Sequence, residues 1–228
     1  MEEQVKSKQR VADHGEVLTG KREVNAMLDL VKQETERIES RFLEPACGSG
    51  NFLSEILERK LRVVEMRYRR SQLEYERNAV LAVSSIYGID ILEDSILECR
   101  KRLFGIFDWA YSGLYKKSAK NQCRNAVKYI LEHNIIRGDA LTLKTVGENP
   151  QPIVFSEWSL VTGSKFQRRD FAFHELFPKE KTIENQLSIF SALEQTLLSD
   201  LGENVFIPMP IKKYSLTHFL RIADVEQS

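Results

Sequence analysis

The sequence predicts an α/β domain built on a largely parallel sheet, and three observations carry that reading. Short apolar runs alternate with long amphipathic spans through the first two-thirds of the chain, the pattern of strand–helix–strand units. Gly48 and Gly50 stand between the first apolar run and the first long helical span, where a tight turn needs residues without a Cβ. Glu44, Asp90 and Asp139 each stand at or just past the end of a predicted strand. That lines three carboxylates along the carboxyl edge of the sheet, where ligands of such sheets sit.

The elements follow in order. After the polar stretch ending at Thr19-Gly20, a helix from Glu23 to Lys32 is expected because Val24, Met27, Leu28 and Val31 fall at helical spacing. Arg41 to Leu43 forms the first strand. Asn51 to about Ala82 reads as one helix, with basic residues interleaved among Leu61, Val64, Tyr68, Leu73 and Val80. The second strand is Ser84 to Ile89. The next helix opens at Asp94-Ser95, where Glu98 completes a capping-box spacing, and runs to about Phe104. Trp109 to Leu131 is a further helical segment, and Asn134 to Arg137 a short third strand. Ile153 to Val161 forms a fourth strand, Thr162-Gly163 a turn, and Phe166 to Phe173 pairs back as a hairpin. Ile183 to Leu201 is a strongly periodic helix closed by Gly202, followed by a brief strand, Val205 to Ile207. The expected divisions are an N-terminal helical segment (1–40), an α/β core (41–177) and a C-terminal helix and tail (178–228).

Composition narrows the functional classes. The chain has 228 residues with 42% hydrophobic content, enough for one domain with a sizeable core and a small appendage. Its 33 basic and 33 acidic residues cancel, so net charge argues neither for nor against nucleic acid. Cys47, Cys99 and Cys123 are far apart and odd in number, which points to a reducing compartment. Four histidines show no ligand spacing, so no metal site is expected. Without an apolar leader or a bilayer-length run, the expectation is a cytoplasmic protein.

The most informative run is Phe42-Leu43-Glu44-Pro45-Ala46-Cys47-Gly48-Ser49-Gly50-Asn51-Phe52-Leu53. Its glycines let backbone approach a ligand, and the helix behind them offers unpaired N–H groups and a partial positive charge. Such a turn can hold a carboxylate while Glu44 pairs with an ammonium group, and S-adenosylmethionine carries both. The spacing fits neither G-x-G-x-x-G nor G-x-x-x-x-G-K-[ST]. A strand–glycine–helix turn also serves simple packing, Asp90 and Asp139 suit turns and helix caps, and Thr19 suits a helix cap.

The full run resembles the cofactor-binding motif of the S-adenosylmethionine-dependent amino-group (adenine-N6) DNA methyltransferases of restriction–modification systems. The similarity reaches roughly from Asp13 to Leu141. The resemblance implies a Rossmann-like, class I methyltransferase three-layer fold, here C-terminally truncated or atypical. It implies S-adenosylmethionine as cofactor, bound by Thr19, Glu44, Pro45, Ala46, Gly48, Gly50, Asn51, Phe52, Asp90, Asp139 and Ala140. Asp90 would take the ribose hydroxyls and Asp139 the adenine amino group. Thr19 belongs to a segment, His14 to Gly20, similar to the family's N-terminal motif, with Gly20 in place of a proline.

Such enzymes carry Asn/Asp-Pro-Pro-Tyr/Phe after the fourth strand, and this chain has Ser156-Glu157-Trp158-Ser159 there. Ser156 or Glu157 could accept hydrogen bonds and Trp158 could stack on a flipped base; strand pairing and core packing account for them equally. Lys165, Arg168 and Arg169 are the candidate DNA-facing cations. DNA is the expected partner, together with a specificity or restriction subunit, or a homodimer mate, because the sheet would stop early and leave an edge. Two rival functions remain open: a catalytically inactive cofactor-binding or structural subunit, and methylation of a non-DNA substrate.

Overall fold

Helix α1 (Lys21–Asp29) buries Val24 and Leu28, and the single turn α2 (Lys32–Thr35) leads from it towards the first strand. The computed structural model describes residues 19–176 and 208–227. Strand β1 (Phe42–Glu44) is followed by α3 (Asn51–Tyr68), α4 (Gln72–Ser84) and β2 (Ile86–Asp90). Then come α5 (Glu93–Tyr115), a 3-10 turn (Lys116–Ser118), α6 (Asn121–Asn134), β3 (Ile135–Asp139) and β4 (Lys144–Thr145). The first sheet has the order β1-β2-β3-β4. The β1–β2 and β2–β3 pairs are parallel, with Glu44 beside Gly88 and Asp90 beside Arg137. The β3–β4 pair is antiparallel.

Side chains alternate across a strand, and the core divides accordingly. Phe42, Ile86 and Ile135 join the large cluster contributed by α3 to α6. Leu43, Tyr87, Ile89 and Ile136 point the other way, onto Ile153, Phe155 and Phe173. The long helical span expected from Asn51 to Ala82 is two helices, broken at Arg69 to Ser71. Ser71 caps α4 by accepting from the Glu74 amide at 3.4 Å. Ser71-Gln72-Leu73-Glu74 is itself a capping-box sequence, so the signal for the break is local. Helix α5 continues past Phe104 to Tyr115 because Leu103, Phe107 and Tyr111 extend one buried stripe through Gly105. It begins at Glu93, so Ser95 lies in its first turn and not at its cap.

Strands β5 (Val154–Thr162) and β6 (Lys165–Ala172) form the expected hairpin, turning at Gly163 with φ +53°. They do not extend the parallel sheet. With β7 (Lys212–Lys213) and β8 (Thr217–His218) they build a second, antiparallel sheet. Alternation marks a run as strand but does not select its neighbour, and long-range contacts decide here. Trp158 and Phe166 insert into the large cluster, joined there by Phe219 and Ile222 of the closing 3-10 helix (Phe219–Gln227). Among the described residues, parallel pairing is therefore confined to β1–β3. The expected helix Ile183 to Leu201 and strand Val205 to Ile207 lie outside the described residues.

Candidate functional site

The loop after β1 is laid directly on β2. The Cys47 amide donates to Ile89 O at 2.9 Å, continuing the ladder beyond Glu44. The Gly50 amide closes a turn onto Cys47 O at 2.8 Å, and the Ser54 amide makes the first α3 bond to Gly50 O. Gly48 and Gly50 take φ of +50° and +84°, values that favour glycine. A Cβ on Gly50 would stand 2.6 Å from Cys99 Sγ, so α5 also fixes the loop. On the opposite side, a Cβ on Gly88 would meet Leu53 at 2.9 Å and Cys47 Sγ at 3.0 Å. Contact with the Cys99 thiol, together with burial, drives the Cys47 thiol pKa far upward. Helix α3 starts from Gly50 without a side-chain cap.

Three carboxylates occupy the strand ends. Burial raises the Glu44 pKa, and the Ala46 amide partly offsets that by hydrogen bonding. Asp90 accepts the Gly48 amide on Oδ2 at 2.9 Å and the Leu92 amide on Oδ1 at 2.8 Å. A carboxylate has about four lone-pair sites, so each Asp90 oxygen keeps one for another donor. Asp139 accepts the Leu141 amide at 2.8 Å and the Thr142 hydroxyl at 3.0 Å, an Asx-type turn. Its neighbour Ala140 packs on the smaller apolar cluster, and Phe52 on the larger one. Pro45 is half-buried and Ala46 exposed.

Thr19 reaches this rim through Asn51. The Asn51 amide nitrogen donates to Thr19 O at 2.9 Å, while its Oδ1 accepts from Arg102 Nη1 at 2.5 Å. Arg102 thus selects the amide orientation in which Asn51 can hold Thr19. No local sequence pattern gives Arg102 or Cys99 a place at this rim: both depend on where α5 packs, and their shared helix face (i, i+3) becomes meaningful only once that packing is known.

Residues 156–159 lie elsewhere. The Ser156 hydroxyl donates to Asp170 at 2.8 Å, and its carbonyl accepts from the Tyr87 hydroxyl. Trp158 is buried, with Nε1 donating to Asn134 Oδ1 at 3.0 Å. Glu157 pairs with Arg41 and, at 2.6 Å, with Arg169. Arg41 and Asn134 immediately precede β1 and β3, so these contacts belong to the amino ends of the strands, opposite the carboxylate rim. The three candidate cations separate as well. Lys165 is exposed and Arg169 is engaged by Glu157, but Arg168 is only 7% exposed and cannot face DNA as it stands. Arg168 makes a paired contact with Asp170 (2.8 and 2.9 Å) and stacks on Tyr214, Trp158 and Tyr129.

The family described as MmeI, DNA-methyltransferase domain, matches residues 18–150. The chain belongs to that family. The matched span of this methyltransferase domain runs from α1 through β4 and includes Thr19, the glycine loop and all three strand-end carboxylates. The β5–β6 hairpin falls beyond it. No curated protein and no solved structure matches the chain. Among the described residues no helix is long and apolar enough to cross a membrane.

Proposed function

We propose that this DNA-methyltransferase domain binds S-adenosylmethionine at the rim of β1–β3. We assign it to adenine-N6 methylation of DNA within a cytoplasmic restriction–modification or related defence system. The observation that carries the reading is the glycine loop tied to Asp90 through the Gly48 amide, inside the span matched by the family. The parallel strands, with helices α3 to α6 on one face, support a Rossmann-like, class I core.

The residues present fit the cofactor. Bound there, S-adenosylmethionine supplies a methyl group on a sulfonium sulfur. Glu44 is suited to accept hydrogen bonds from an ammonium group, and the uncapped α3 N-terminus to meet a carboxylate. Asp90 retains one acceptor site on each oxygen, which suits a vicinal diol. Asp139 can accept from an exocyclic amino group. Positioning of this kind supplies much of the rate in a methyl transfer.

A second reading is favoured by one observation. The sequence has no Asn/Asp-Pro-Pro-Tyr/Phe segment, and Ser156 to Trp158 are bound into the opposite end of the sheet. On that reading the chain is a cofactor-binding subunit that needs a specificity or restriction partner for the base-activating groups. Calorimetric titration with S-adenosylmethionine, followed by labelled-methyl transfer to duplex DNA, separates the two. Binding with transfer to adenine supports the enzyme, and binding without transfer supports the subunit. No binding to the folded chain would overturn both.

A further inference from the structure

Two basic turns meet at the end of the molecule away from the carboxylate rim. One is the α3–α4 break, with Arg67, Arg69 and Arg70. The other is the α5–α6 connection, with Lys116 and Lys117. All five side chains are exposed, and the ion pairs among the described residues engage none of them. The turns are locked side by side: the Tyr115 hydroxyl donates to Arg69 O at 3.1 Å, and Gln72 Nε2 donates to Ser118 O at 2.7 Å. Lys116 itself is held at φ +45°, a strained backbone state for a lysine.

We propose that this preformed patch is a sequence-independent docking surface for the phosphate backbone of duplex DNA, separate from the cofactor rim. The proposal rests on the reading of DNA as this domain's substrate. The competing explanation is that the cations merely neutralise helix ends. Helices α3 and α5 do end here, each contributing roughly half a negative charge. But α4 and α6 begin at the same surface, at Gln72 and Asn121, and contribute roughly half a positive charge each. The dipoles cancel and the cations stand uncompensated. The nearest acids do not change this balance much. Glu74 is engaged by Arg77 and Glu76 by Lys120, which leaves Glu65. Helix N-termini beside arginines also favour phosphate over other anions.

The 18 residues of α3 put the patch about 27 Å from the glycine loop at 1.5 Å per residue. DNA held there is therefore a contact additional to any at the rim, retaining the chain on nucleic acid without reading sequence. The test is fluorescence anisotropy on a duplex of arbitrary sequence across a salt series. It compares the wild-type chain with a variant combining Arg69→Gln, Arg70→Gln, Lys116→Gln and Lys117→Gln. Each phosphate contact contributes about 0.9 to the salt slope. The variant is thus expected to bind about tenfold or more weakly and to lose up to about 3.6 units of slope if all four cations contact phosphate. S-adenosylmethionine titration of both proteins monitors folding and the rim and is expected to be unchanged.

Equal affinity and slope in the variant would overturn the proposal, as would a wild-type chain that binds the cofactor but no duplex. Duplex binding that depends on the four cations in a chain unable to bind S-adenosylmethionine would sustain the patch and refute the function proposed for the rim.

Discussion

Gly50 is constrained twice, by a left-handed backbone and by Cys99 Sγ at 2.6 Å from where its Cβ would stand. Gly50→Ala is expected to cost about 1–3 kcal/mol, measured by urea unfolding. Adding Cys99→Ala should recover part of that loss, because it removes the clash and leaves the φ strain; full recovery would show that the backbone conformation is not limiting. Glu44 carries a different tension. Burial raises its pKa, so the ionised carboxylate destabilises the unliganded fold as pH rises through that pKa. Glu44→Gln should therefore stabilise the unliganded protein at neutral pH while weakening S-adenosylmethionine, and thermal shifts with and without cofactor would show the opposed signs. Lys60 is fully buried, and in its ammonium form donates to Ile38 O at 3.1 Å, Ser85 Oγ at 2.7 Å and Ser40 O. Burial lowers its pKa from 10.5 to about 7. The unfolded chain then binds the extra proton above pH 7, so stability from this group rises with pH, by up to about 1.4 kcal/mol per unit. Between pH 7 and 9, denaturation should show wild type gaining relative to Lys60→Met. Parallel curves would refute the neutral amine.

At the scale of elements, the hairpin is held by a charge buried among aromatic rings. Removing one partner of a buried pair costs about 3–5 kcal/mol. Arg168→Ala is expected to lose that much, since Asp170, Ser156 and Tyr214 share its network, and to leave the duplex affinity of the folded protein unchanged. A selective loss of DNA binding without loss of stability would restore Arg168 to the surface role its sequence suggests. That contrast marks what is legible in the chain. Strands β1, β2 and β3, the glycine turn and the acids at the strand ends are local patterns, and the structure has them within two residues of expectation. The Ser71 cap is local as well. What cannot be read locally is which sheet the β5–β6 hairpin joins, because its alternation is the same in either setting. Arg168 looks like any exposed cation until Tyr129, Trp158 and Tyr214 arrive from other elements. Arg102 acquires a role only when α5 lies against Asn51.

For the whole molecule, β1 is the outer strand of its sheet among the described residues. An open edge favours association, so light scattering is expected to give a mass rising with concentration above the 26.4 kDa of one chain. A constant monomer mass at high concentration would count against a homodimer. The parallel topology also sets the order in which the protein can be built. Phe42 pairs with Ile86 and Gly88 with Ile135, so neither junction forms until a chain segment of more than forty residues has closed. The β5–β6 hairpin and the neighbouring helices need no such closure. Long closures slow folding, and the rim takes one acid from each of the three slow strands. It is therefore among the last regions to assemble, and a nascent chain displaying the complete glycine motif still lacks Asp139. Cofactor capture during refolding should lag behind helix formation and coincide with the final tertiary phase, making ligand affinity a reporter of completed folding.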